Sequence, residues 1–91
     1  LVGFLVWQET DFEAEVLQIA VLPSYQGQKI ATALFDFLPA NKEIFLEVRE
    51  SNKPALLFYK KEKFEAIARR KAYYHAPVED AIVMKREIHE R

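Results

Sequence analysis

The spacing of apolar residues changes several times along the chain, and each change marks an element. From Val16 to Leu22 the run VLQIAVL is broken only by Gln18. Such near-continuous apolarity predicts a central strand buried on both faces. Pro23 stops it, because proline cannot donate to a ladder. Polar Ser24 to Gln28 follow, with Gly27 among them. Ile30, Ala33, Leu34, Phe37 and Leu38 then recur at helical spacing, which predicts a helix from near Gly27 to just before Pro39. The first N–H groups of a helix lack intrahelical partners and carry partial positive charge. A strand that runs straight into a helix start is therefore suited to phosphate oxygens.

The other segments follow by the same reading. Leu1 to Gln8 is an apolar strand, Glu9 to Phe12 a polar turn, and the two strands either side of it form an antiparallel hairpin. Pro39 to Lys42 is a loop. Glu43 to Arg49 alternates, with Ile44, Leu46 and Val48 on one face and Phe45, Glu47 and Arg49 on the other. Two strands joined by a helix make a βαβ unit, so this strand runs parallel to the central one. Ser51, Asn52 and Pro54 suit a helix start, and that helix runs to about Glu62. Phe64 to Arg70 is a strand, Lys71 to Pro77 a loop with two tyrosines, and Glu79 to Arg86 the last strand. The order is β-β-α-β-α-β-β. It defines an α/β (α+β) class, with a mixed, mostly antiparallel sheet and one parallel βαβ pair. The predicted core is Phe4, Val6, Leu17, Ile19, Val21, Ile30, Leu34, Phe37, Leu46, Val48, Leu57, Phe64 and Ile82.

Composition narrows the chemistry. The 91 residues suit a single domain spanning 1–91, with 51% hydrophobic and 30% charged residues. A net charge of −1 argues against a dedicated nucleic-acid surface. No apolar run reaches membrane-spanning length, so no membrane partner and a cytoplasmic location are expected. Cysteine is absent, which removes disulfides, thiolate metal ligands and a cysteine nucleophile from this chain. His75 and His89 have no metal-ligand spacing, and no metal is expected. Ser24 and Ser51 have no triad partners.

Three blocks in order carry a family resemblance. VLQIAVLPSYQGQKIATAL, LEVRESNKPALLFYKKEKF and RRKAYYHAPVEDAIVMKR together resemble the GNAT family of acetyl-CoA-dependent N-acetyltransferases, most of all the RimI type, which acetylates ribosomal-protein N-termini. Two positions depart from the family pattern. Lys29 and Lys63 stand where glycine is usual, and a left-handed backbone there would cost a non-glycine residue roughly 1–2 kcal/mol. The family's usual N-terminal elements, which form one wall of the acceptor groove, are also absent from this sequence.

The resemblance implies acetyl-CoA as cofactor and a set of roles. Gln26, Gly27, Gln28, Lys29, Ile30, Ala31 and Thr32 would hold the pyrophosphate, the bare alternative being an ordinary strand-to-helix turn. N–H groups of Ile19, Ala20 and Val21 would pair with the pantetheine arm, and Asn52 would touch that arm or simply cap its helix. Glu47 would be the general base, acting through a water, or else a strand glutamate paired with Arg49 or Lys42. Tyr59 would contact the cofactor and protonate the leaving thiolate, or merely pack on the sheet. Tyr73 and Tyr74 would border the acceptor, or belong to the core. Lys60, Lys61 and Lys63 read as a solvated face, with contact to the cofactor's 3′-phosphate as the lesser reading. The cleft is expected to open where Leu22 and Val48 part.

Three functions compete. The first is direct acetyl transfer to a protein or peptide α-amine, with a small-molecule amine as the variant. The second is an acetyl-CoA-binding module without turnover. The third is a fragment of a longer chain, or a chain completed by a partner, with Leu1 to Gln8 as an exposed edge strand that supports a homodimer.

Overall fold

The computed structural model describes residues 2–27 and 29–88. Leu1, Gln28 and His89 lie outside them, and with Gln28 one of the expected phosphate contacts. The elements run β1 (Gly3–Glu9), β2 (Glu13–Val21), a 3-10 turn (Pro23–Tyr25), α1 (Ile30–Phe35), β3 (Glu43–Arg49), α2 (Lys53–Lys61), β4 (Glu65–His75) and β5 (Val78–Arg86). Among the described residues they build one five-stranded sheet in the order β1-β2-β3-β5-β4. Only β2 and β3 pair in parallel, and the other three neighbouring pairs are antiparallel. The expected order and strand directions are all present.

The parallel pair is short. Its register runs only from Glu13 with Glu43 to Glu15 with Phe45. Two residues further on, β2 carries a bulge: Val6 pairs with Gln18 and Trp7 with Val16, leaving Leu17 unmatched. A bulge bends its strand and sharpens the twist. β2 and β3 therefore part from Val16 and Leu46 onward, well before Leu22 and Val48, where the pattern of the chain had put the opening. The bulge also overturns burial of the central strand on both faces. Ala14 and Val16 are buried and Ile19 and Val21 half-buried, while Leu17 is 52% exposed.

The core lies on one face of the sheet. Ala14, Val16, Ile44, Leu46, Val48 and Met84 meet Phe35, Leu38 and Phe64 there. Ala55, Leu56, Phe58 and Tyr59 of α2 close over the same cluster. Five expected core residues are instead exposed: Phe4, Val6, Leu17, Phe37 and Leu57. In β1 the alternation has the opposite parity, so Leu5 and Trp7 point inward. The first helix begins three residues later than expected, and Phe35, rather than Phe37, becomes the buried aromatic. After Phe35 the chain tightens, with Phe37 N–H bonded to Leu34 O and Leu38 N–H to Phe35 O. That tightening turns Phe37 outward while Leu38 stays in.

The tyrosines expected in a loop belong to β4, which reaches His75. The β4–β5 register breaks between Arg70 and Tyr74, and Ala72 there has a φ of 52°. No described helix is long and apolar enough to cross a membrane.

Candidate functional site

The loop after β2 is shaped by side chain and backbone together. Gln26 Nε2 donates to Val21 O at 3.1 Å, folding the loop back on the strand end. Gly27 takes a φ of 83°, open to glycine without steric cost. Lys29 takes a φ of 61° directly before α1, and Lys63 a φ of 75° after α2. Both lysines thus hold the left-handed backbone that the glycine pattern implied. Among the described residues, the N–H groups of Gly27, Lys29, Ile30 and Ala31 meet no acceptor. They border a cavity of about 510 Å³ whose walls include Val21, Gln26, Thr32, Phe58 and Lys61. Of the three lysines around the end of α2, only Lys61 reaches it. Thr32 Oγ1 donates to Glu62 Oε2 at 3.0 Å, which ties α1 to the end of α2.

A second cavity, of about 250 Å³, fills the gap where β2 leaves β3. Leu17 and Ile19 wall it on one side and Glu47 and Arg49 on the other, with Asn52, Tyr59 and Tyr74 completing it. Ile19 faces this gap and Val21 the larger cavity. Ala20 points away from both, into a small hollow beside Phe4. Tyr73 does not line the gap and is 42% exposed.

Asn52, Tyr59 and Glu47 at the gap are held by defined contacts. The Asn52 side chain accepts the Ala55 N–H at 3.3 Å, so the expected cap exists and α2 starts at a fixed place. Tyr59 stacks parallel to Phe35 with centroids 6.0 Å apart, and Phe64 meets its ring edge-on at 6.0 Å. Burial, then the nearby Tyr74 hydroxyl, push the Tyr59 phenol above its usual 10.0. Burial likewise raises Tyr74, with Glu47 adding to the effect. Glu47 Oε2 accepts from Arg70 Nη1 at 2.6 Å. β3 brings Glu47, α2 and its cap bring Tyr59 and Asn52, and β4 brings Tyr74 to one opening.

The expected bland partners of Glu47 are engaged elsewhere. Arg49 pairs with Glu79 at 3.2 Å and Lys42 with Glu9 at 2.7 Å. Arg49 and Arg70 are the site residues that the sequence reading missed as such. The alternation of β3 puts Arg49 beside Glu47 and could have found it. Arg70 is two strands away, and no local pattern signals it.

Comparison with known proteins gives the family and the fold. The acetyltransferase (GNAT) domain model matches residues 1–66. The chain is 37% identical over 93 residues to the [ribosomal protein bS18]-alanine N-acetyltransferase of Haemophilus influenzae, a match that covers 92% of the chain and 63% of that relative. The crystal structure of the ribosomal-protein-S18-alanine N-acetyltransferase from Escherichia coli superposes with a TM-score of 0.87 at 33% identity, over 99% of this chain and 63% of that one. A GNAT family acetyltransferase from Elizabethkingia anophelis, solved with acetyl-CoA bound, gives 0.83 at 26% identity, over 96% of this chain and 69% of that one. The chain belongs to the GNAT acetyltransferase family. It spans half of one curated relative, the N-alpha-acetyltransferase RimI of Mycobacterium tuberculosis, and under two thirds of the Haemophilus one.

Proposed function

We propose that this chain carries the acetyl-CoA-dependent N-acetyltransferase activity of its family, with the α-amine of a protein or peptide as acceptor. The observation that carries the reading is the convergence of Glu47, Asn52, Tyr59 and Tyr74 on the gap between β2 and β3, beside a cavity bordered by N–H groups that meet no acceptor among the described residues. The Haemophilus relative's name supports a ribosomal-protein N-terminus as acceptor. The cytoplasm is the compartment this implies.

The residues suit the cofactor. The N–H groups of Gly27, Lys29, Ile30 and Ala31, with the Lys29 and Lys61 charges nearby, are fit for a pyrophosphate. The β2 edge beyond Val16 has no β3 partner, so it can pair with an extended arm through Ile19 and Val21. Acetyl-CoA supplies an acyl carbon activated as a thioester. Glu47 takes the proton that the amine sheds as its nitrogen bonds that carbon, directly or through one water. Tyr59 gives its phenolic proton to the sulfur as the carbon–sulfur bond breaks, and burial keeps that proton on the ring until then. An α-amine is the easier acceptor: about a tenth is already neutral at pH 7, against roughly one lysine in a few thousand.

Incubation with acetyl-CoA and a panel of short peptides, read by thiol release and mass spectrometry, tests the reading. One acetyl group on the peptide α-amine is expected. Glu47→Gln should cut the rate about a hundredfold or more. The strained Lys29 favours a second reading, in which the chain binds acetyl-CoA without turnover. Binding with no thiol release for any acceptor would select it. Pairing of the β1 edge with a second copy gives a homodimer under either reading, and sedimentation at rising concentration reads it.

A further inference from the structure

We infer that Arg70 is a positioning residue for the transfer: seated on Tyr73, its guanidinium grips one oxygen of Glu47 from the outer face of the sheet and leaves the carboxylate's other oxygen open. The inference rests on Glu47 being the base.

Four observations carry it. The Arg70–Glu47 bond is 2.6 Å long, and it joins a mostly exposed arginine, 57% accessible, to a carboxylate only 16% accessible. Glu47 lines two cavities, the gap between β2 and β3 and a cavity of about 310 Å³ on the outer face. Arg70 lines only the outer one, with Glu15, Phe45, Ala68 and Val83. The grip therefore comes from the outer-face cavity rather than from the gap between β2 and β3. Among the described residues, Glu47 Oε1 has no hydrogen-bond partner.

The arginine is itself held. Its guanidinium lies 4.9 Å from the centroid of Tyr73, and Tyr73 meets Tyr74 edge-on at 5.1 Å. Tyr74 in turn lines the gap. The break in the β4 register runs from Arg70 to Tyr74, with Tyr73 and the left-handed Ala72 within it. No other described cation competes for Glu47. Arg49 serves Glu79, Lys42 serves Glu9, and Lys85 serves Glu43 and Glu87. An exposed ion pair of this kind does little for folding. A carboxylate that must meet an amine in one orientation gains more from being fixed.

Arg70→Met, Arg70→Lys, Glu47→Gln and the Arg70→Met/Glu47→Gln double variant test it, with kcat, KM for acetyl-CoA and Tm read for each. Arg70→Met should lower kcat about tenfold or more while KM for acetyl-CoA stays within about twofold and Tm barely moves. Arg70→Lys should recover part of the loss, since an ammonium still donates to Oε2 but lacks the planar fork. The double variant should be no slower than Glu47→Gln alone. Unchanged kcat in Arg70→Met, with Glu47→Gln inactive, overturns the role of Arg70. So does a double variant slower than Glu47→Gln, or a loss that follows Tm and that lysine does not relieve. Full activity in Glu47→Gln overturns the reading of the base instead.

Discussion

The guanidinium of Arg49 lies 4.2 Å from the centroid of Tyr74, and its Nη1 is 3.2 Å from Glu79 Oε2. Glu79 also accepts the Ser51 N–H at 2.5 Å, so one carboxylate joins β3, β5 and the approach to α2. The bonds from Ser51 and then Arg49 hold Glu79 below its usual 4.5. The Ala72 N–H and Arg69 hold Asp80 below 3.8. A carboxyl depressed in the folded state stabilises fully above its unfolded pKa and loses that contribution as pH falls through the folded one. Tm should therefore be flat from pH 7 down to about 5 and decline below that. In Glu79→Gln the acid decline should be shallower, as thermal melts across pH would read. An unaltered decline would remove Glu79 from the account.

Tyr59→Phe should leave the fold intact, because the stacking on Phe35 and Phe64 needs only the ring. Its kcat should fall by about a hundredfold. Since burial raises this phenol, wild type should show no loss of rate from Tyr59 ionisation below about pH 10. Steady-state kinetics over pH checks both statements.

Phe35 and Phe37 make opposite predictions despite being two residues apart. Phe35 is 1% exposed and touches Phe58, Tyr59 and Phe64 through its ring, whereas Phe37 is 74% exposed. Phe35→Ala should cost about 3–5 kcal/mol, and Phe37→Ala less than about 0.5 kcal/mol. Urea unfolding separates them at once.

Lys29 combines backbone strain with a charge at the larger cavity, and two substitutions pull these apart. Lys29→Gly removes both, and should raise stability by about 1 kcal/mol, or about 4–8 °C in Tm. Lys29→Ala removes the charge and keeps the strain, so Tm should not rise. If the charge holds pyrophosphate, both variants should bind acetyl-CoA several-fold more weakly by calorimetry, with less dependence on salt.

The order and direction of the strands were legible because each element carries its own period and stop, as Pro23 ends β2 and Asn52 opens α2. What the sequence did not disclose depends on relations between elements. The Leu17 bulge reverses which residues of β2 face the core, and nothing in VLQIAVL marks it. Strand β1 alternates Leu5 and Trp7 against Phe4 and Val6, all apolar, so its inward face is set by pairing with β2 rather than by hydrophobicity. The phase of α1 shifts once Lys29 turns left-handed and delays the helix start. Glu47, Asn52, Tyr59 and Tyr74 were reachable through family motifs. The partner of Glu47 was not, because Arg70 meets it only across β5.

The most direct test follows backbone amide resonances during an acetyl-CoA titration. Saturable shifts at Ile19, Val21, Gly27, Lys29 and Ala31, with Tyr59 responding and the outer-face Phe4 and Val6 silent, would place the ligand in the opening that the Leu17 bulge creates. Saturation without movement of these amides, or with movement confined to the opposite face, would contradict the account.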